Sequence, residues 1–170
     1  IEWIGGFEQG DTLWDVGANV GGYSLYAGIR GLSVVAFEPS PGNYYLLSRN
    51  IEINRLEGRV RAFCVAFNDA AKLGVLHMST TELGGAFSTF GDAENGGEAL
   101  PQRSFAQPTL GFTVDAFVDQ FAPPFPNHLK VDVDGIEDRI VRGARNTLSN
   151  ERLKSALIEL DTASAACNET

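Results

Sequence analysis

Two cysteines in 170 residues are too few for a disulfide framework, and Cys64 and Cys167 form no CxxC pair. Cys64 lies in an apolar run, which reads as a buried, inert thiol. Such usage fits a reducing compartment, so a cytoplasmic protein is the expectation. No run approaches the ~18–20 apolar residues of a membrane span, so none is expected. A signal-peptide pattern is also missing, although the chain begins at Ile1 rather than Met and so reads as trimmed. Basic side chains are scarce: 13 Lys and Arg stand against 22 Asp and Glu, a formal charge of −9. Phosphate backbones are bound by concentrated Lys and Arg, and the sequence concentrates neither, so nucleic acid is not an expected partner. Only two histidines are present. No cluster of His, Cys and carboxylates has metal-ligand spacing, and no metal is expected.

What the chain has is an apolar core in repeating form. Hydrophobic residues make up 44%, enough for one domain over residues 1–170. Thr12–Val16 ("TLWDV") reads as a short buried strand, Val20–Ile29 as a helix, and Ser33–Phe37 ("SVVAF") as a second strand. Pro41 opens a helix over "PGNYYLLSRNIEIN", with Ser40 as its N-cap. Arg59–Ala66 is a third strand, and Leu73–Met78 has strand character. An irregular, glycine-rich insert follows over about residues 79–108. Order returns with a short strand, a helix from about Val114, a fourth core strand His128–Val133, a helix Ile136–Leu148 and a fifth strand Ser155–Leu160. Continuous apolar strands alternating with helices predict an α/β fold with a doubly wound, mostly parallel sheet.

The first strand runs into "DVGANVGG". Glycine there permits a tight turn and close approach of a ligand to the main chain, and the helix behind it presents free N–H groups. Glu38 ends the neighbouring strand 21 residues after Gly17, where a carboxylate reaches ribose hydroxyls. These linked features predict a nucleoside cofactor. No lysine follows the glycines, which excludes a P-loop. The dinucleotide fingerprint is broken by Asn19, and Asp15 would repel a pyrophosphate. An acid at that point suits S-adenosylmethionine (SAM), which carries a sulfonium and an ammonium.

"GDTLWDVGANVGGYS", "VVAFEPSPGNYYLLSRNIEIN", "TVDAFVDQ" and "LKVDVDGIEDRIVRGARNTL" together resemble the FkbM-type family of SAM-dependent methyltransferases, from about Gly10 to Asp161. The resemblance implies a Rossmann-like class I fold. It also implies that Asp15, Gly17, Ala18, Asn19 and Gly21 line the methionine part of SAM, that Glu38 holds the ribose, and that Pro39 and Ser40 flank the adenosine. The turn Ala66–Asp69 would approach the adenine, with Asn68 or Asp69 as a partner for its amino group. The family transfers a methyl group to a hydroxyl, often of a sugar or other natural-product scaffold, so a small hydroxylated acceptor is the implied partner. Two departures stand out. Asp134 occupies a position where the family commonly has glutamate, and the chain stops near the fifth strand where the class I fold adds two more, as a fragment would.

Catalysis of methyl transfer needs alignment and, for a hydroxyl, a base. Strand alternation sends Lys130, Asp132 and Asp134 to one side of the pleat. Asp132 is the first candidate for the catalytic carboxylate and Asp134 the second, with an N-cap for the following helix as the competing role of Asp134. His128 begins a strand at the edge opposite the site and reads as structural; His77, before the insert, has a general-base reading. Glu159 and Asp161 either border a substrate cleft or are solvated. Phe87, Phe90, Phe105 and Phe112 read as core or lid packing, with an acceptor-pocket lining as the alternative. Two rival functions stay open: an NAD-dependent oxidoreductase or epimerase, and a SAM-binding module without activity. The sequence leaves the oligomeric state open.

Overall fold

A computed structural model describes residues 2–91 and 104–159. A short helix, α1 (Glu2–Gly5), precedes β1 (Thr12–Val16), α2 (Gly22–Ile29), β2 (Ser33–Phe37), α3 (Pro41–Ile53) and β3 (Val60–Phe63). Strands β1 and β2 have the expected bounds. The second helix starts two residues later than expected, because Gly21 turns left-handed (φ 98°) before it. Position 21 has little room for a side chain, since a Cβ would meet Leu47 Cδ1 at 2.7 Å.

The expected third strand, Arg59–Ala66, divides. Strand β3 ends at Phe63, and β4 (Ala66–Phe67) belongs to a second sheet. The break also exposes Cys64, contrary to the reading of a buried thiol. Within the expected insert, residues 88–91 and 105–108 are strand. After β5 (Lys72–Met78) come β6 (Ser88–Gly91) and β7 (Phe105–Phe112), in a four-stranded sheet of order β4-β7-β5-β6. Strand β5 pairs antiparallel with β7 from Lys72↔Gly111 to Met78↔Phe105, and with β6 from Val75↔Gly91 to Met78↔Ser88. This sheet packs Leu76, Met78 and Phe90 into the main core.

Helix α4 (Val114–Phe121) is capped by Thr113, whose Oγ1 accepts from Ala116 N at 2.9 Å. Next come β8 (His128–Val131), α5 (Glu137–Arg142), α6 (Arg145–Leu148) and β9 (Ser155–Ile158). The expected helix Ile136–Leu148 is thus two pieces. Gly143 lies where a Cβ would be 2.5 Å from Asn68 O, and the Asp115 carboxylate holds the Asn146 and Thr147 amides at 2.9 Å. These contacts start a new helix instead of continuing the old one. Leu160, Asp161 and Cys167 lie outside the described residues.

Strands β3-β2-β1-β8-β9 form one fully parallel sheet. Alternation divides its side chains between two cores. Leu13, Val34, Ala36 and Val60 meet Ala27 of α2 and Leu47 and Ile51 of α3. Trp14, Val35, Phe37, Leu129 and Val131 meet Phe117 of α4, Ile140 of α5 and the second sheet. The chain winds outward from β1 to β3 and later returns on the other side of β1 with β8. The strand order therefore reverses at the β1/β8 junction, and in open α/β sheets the carboxyl end of such a junction is where ligands bind.

Candidate active site

At that carboxyl edge a cleft encloses about 550 Å³ of empty space, its mouth included. Its floor is the β1 turn and the tip of β2. The Gly17 and Ala18 amides both donate to Phe37 O at 3.0 Å, which ties the two strand ends together. Gly17 has φ 79°, and a Cβ there would be 1.9 Å from Asp132 O, so the exit of β8 admits only glycine. Asn19 is also left-handed (φ 50°), and its amide donates to Glu38 Oε2 at 2.8 Å. The Ser40 amide donates to Glu38 Oε1 at 2.9 Å. Burial pushes the Glu38 carboxyl up to about 7, against the pull of those two amides and with help from the nearby Asp15 and Asp134.

Gly17, Asn19, Glu38, Pro39, Asp132 and Asp134 all line this cleft. The roof comes from a segment that sequence reasoning did not connect with the site, Gly85, Ala86 and Ser88. Asn43 of α3 clamps one end, accepting from Gly84 N at 2.8 Å and donating to Gly85 O at 2.9 Å. Asp134 clamps the other, its carboxylate accepting from Ser88 N at 2.7 Å and its carbonyl from Thr89 Oγ1 at 2.8 Å. Asp134 is accordingly a roof anchor. The N-cap position of α5 falls to Ile136.

Asp15 is placed differently from the expectation. It is fully enclosed beneath the turn, where Ser24 Oγ donates to it at 2.6 Å and Lys130 Nζ pairs with it at 3.1 Å. Lys130, itself buried, also reaches Asp132 at 2.9 Å. Burial alone would lower the Lys130 ammonium, but Asp15 and Asp132 outweigh it and hold it above its ordinary value. Asp15 therefore supports the turn through Lys130 and Ser24, and does not border the cleft.

The residues expected on the adenine side, Ala66, Asn68 and Asp69, are not among those lining the cleft. Ala66 is core, and the buried Asn68 carboxamide is spent on Phe90 O at 3.3 Å and Asp69 N at 2.8 Å. The residue beside Pro39 is instead Cys64, its Sγ 3.7 Å from Pro39 O. His128 is structural, bonded to Asp11 (3.0 Å) and Ser155 (2.8 Å) and stacked on Phe7. His77 is buried in the second sheet. Phe90 is core, whereas Phe87 and Phe105 are exposed and Phe112 packs on Phe117 and Phe121.

The residues of the cleft fit SAM. Buried Asn19 Oδ1 has no protein partner among the described residues and is an acceptor suited to an ammonium. Glu38 is an acceptor for a diol, and Gly17 leaves its main chain bare. The family model described as Methyltransferase FkbM domain matches residues 15–165. The hexuronic acid methyltransferase AglP of Haloferax volcanii is 28% identical over 144 residues, 84% of this chain and 54% of the relative. The 31-O-demethyl-FK506 methyltransferase FkbM of Streptomyces tacrolimicus is 26% identical over 182 residues, 94% of this chain and 69% of the relative. In structure, the FkbM methyltransferase of Methylobacillus flagellatus superposes with a TM-score of 0.56 at 17% identity, over 86% of this chain and 32% of that one. The chain thus spans about half the length of the Haloferax relative.

Proposed function

The chain belongs to the FkbM-domain methyltransferase family, and from that premise we propose that it methylates a hydroxyl group of a small, sugar-like or other natural-product acceptor. SAM is the cofactor of this family, and when bound it supplies a methyl group on a positively charged sulfur. The observation that carries the reading is the joining of Gly17, Asn19, Glu38 and Asp132 in one cleft. Glu38 would accept both ribose hydroxyls while its own geometry is fixed by the Asn19 and Ser40 amides. Asn19 Oδ1 and the bare Gly17 turn would take the amino-acid end. Lys130 keeps the Asp132 carboxylate in place on the cleft wall, where a hydroxyl can be oriented for in-line attack. Relatives named for a hexuronic acid and for an O-demethylated natural product support a hydroxylated acceptor.

Calorimetry with SAM, S-adenosylhomocysteine and NAD tests the cofactor half, with binding of the first two and none of NAD expected. Transfer of labelled methyl from SAM to a panel of hydroxylated compounds tests the rest. Label on nitrogen or carbon atoms only would contradict the oxygen assignment.

A further inference from the structure

Asp132 lines two cavities. Behind it, on the α2 face of the sheet, a second, open cavity of about 630 Å³, its mouth included, is bounded by Tyr23, Lys130, Val131, Asp132, Leu157, Ile158 and Glu159. The β8–β9 register places its acid, since Glu159 N donates to Val131 O at 2.9 Å and so sets the residue alongside Asp132. The two acids therefore stand side by side and act on each other's titration. Tyr23 presents its ring to the Lys130 ammonium at 5.0 Å, leaving an aromatic wall beside the acids.

We propose that this second cavity holds the acceptor, an uncharged polyhydroxylated molecule, and that Glu159 takes the proton of its reacting hydroxyl. The proposal rests on the methyl-transfer reading. As the oxygen–carbon bond forms, the carbon–sulfur bond of the donor breaks with its electron pair leaving on sulfur, and the hydroxyl proton passes to a Glu159 oxygen and then to water. The two acids have different tasks. Burial would raise Asp132, but the Glu159 hydrogen bond and Lys130 hold it below the usual carboxylate range. The hydrogen bond to Asp132, with that acid's charge, pushes Glu159 up to about 7. A carboxyl near neutrality is matched to proton transfer, whereas Asp132, kept ionised, orients the hydroxyl. Lys130 is the one cation bordering the cavity among the described residues. Against it stand Asp132 and Glu159 on the wall, Asp15 behind Lys130, and Asp134 and Glu137 acting on Glu159. That balance repels an anionic acceptor, while paired carboxylates and a tyrosine ring suit a polyol.

The test is carbon-13 carboxyl NMR on the full chain, titrated across acid to neutral pH, with methyl glucopyranoside or methyl glucopyranosiduronate as probes. A Glu159 resonance titrating near neutrality, absent in Glu159→Gln and moved toward the ordinary value in Asp132→Asn, is expected. The uncharged glycoside should shift the Glu159 carboxyl resonance, and the Tyr23 ring-carbon resonances read in the same samples, at concentrations about tenfold lower than the uronate. Ordinary titration of Glu159, or no glycoside response at those two residues, overturns the proposal. Calorimetry with SAM keeps the two readings apart. If the parent and Glu159→Gln bind SAM equally while Glu159 titrates ordinarily, only this proposal fails. If the parent does not bind SAM, the methyl-transfer reading fails and takes this one with it.

Discussion

Asn19 and Glu38 are joined across the tips of two parallel strands, the Asn19 amide donating to Glu38 Oε2 at 2.8 Å. The bond needs Asn19 in the left-handed region (φ 50°) and a glycine on each side of the turn, so the spacing of "GANVG" has a mechanical cause. It aims the other faces of the carboxylate into the cleft.

Removing that carboxylate removes the diol acceptor. Glu38→Ala is expected to weaken SAM binding at least tenfold, about 1.4 kcal/mol, in calorimetry. Unchanged affinity would place the ribose elsewhere.

The raised Glu38 value couples binding to pH. Ribose hydroxyls donate to the ionised form, so a bound nucleoside lowers a carboxyl that stands at about 7 in the free protein. Binding near pH 6 should therefore release a fraction of a proton, seen as a dependence of the calorimetric heat on buffer ionisation enthalpy. Affinity should rise with pH and level off above about 7. Stability without ligand has the opposite trend. Because the folded value lies above the free-acid 4.5, the folded state holds the extra proton, and this contribution is complete below 4.5 and lost as pH rises through about 7. Denaturant midpoints falling over that interval, and flatter in Glu38→Gln, are the expected outcome.

Lys130 is the counter-charge of a fully enclosed acid. Lys130→Met leaves Asp15 buried without its cation, and a loss of about 3–5 kcal/mol is expected from breaking such a pair. Chemical denaturation measures it. In the double variant Lys130→Met/Asp15→Leu, part of the loss should return, because the fully enclosed carboxylate is gone and Asp132, half exposed, keeps its contact with water.

Gly17→Ala is expected to be worse than an ordinary helix or loop replacement. Its Cβ would overlap Asp132 O and its φ is 79°, so the turn must move away from β8. A fall in melting temperature together with loss of SAM binding is the expected pair of effects; Gly22→Ala, where a Cβ meets nothing within 4 Å, is the control.

The first two core strands of this protein were readable from its sequence, whereas the run Arg59–Ala66 and the helix Ile136–Leu148 each divide in two. β-Branched and apolar runs marked β1 and β2 to the residue, and the distance from Gly17 to Glu38 linked their tips. The second sheet was readable only in part, chiefly at β5, where Leu73–Met78 has strand character. Its β7 ("FAQPTLGF") carries a proline and a glycine and has no clean alternation, since Pro108 lies where β7 pairs with Val75 of β5, beyond the short β4. The roof of the cleft depends on Asn43 meeting Gly84 and Gly85 about forty residues later. The Asp15–Lys130 pair is more distant still. Asp15 stood in the expected motif, yet its enclosure by Ser24 and Lys130 arises only once β1 and β8 are neighbours. Ala66, Asn68 and Asp69 lie away from the cleft lining because the run after β3 changes sheet, a switch that an unbroken apolar stretch conceals.

The most direct test of the account is a crystal structure of the chain with S-adenosylhomocysteine. Density for the ribose within hydrogen-bond distance of Glu38, with the amino-acid end over Gly17 and Asn19, is the predicted result. Density anywhere outside the cleft between β1 and β2 would contradict it.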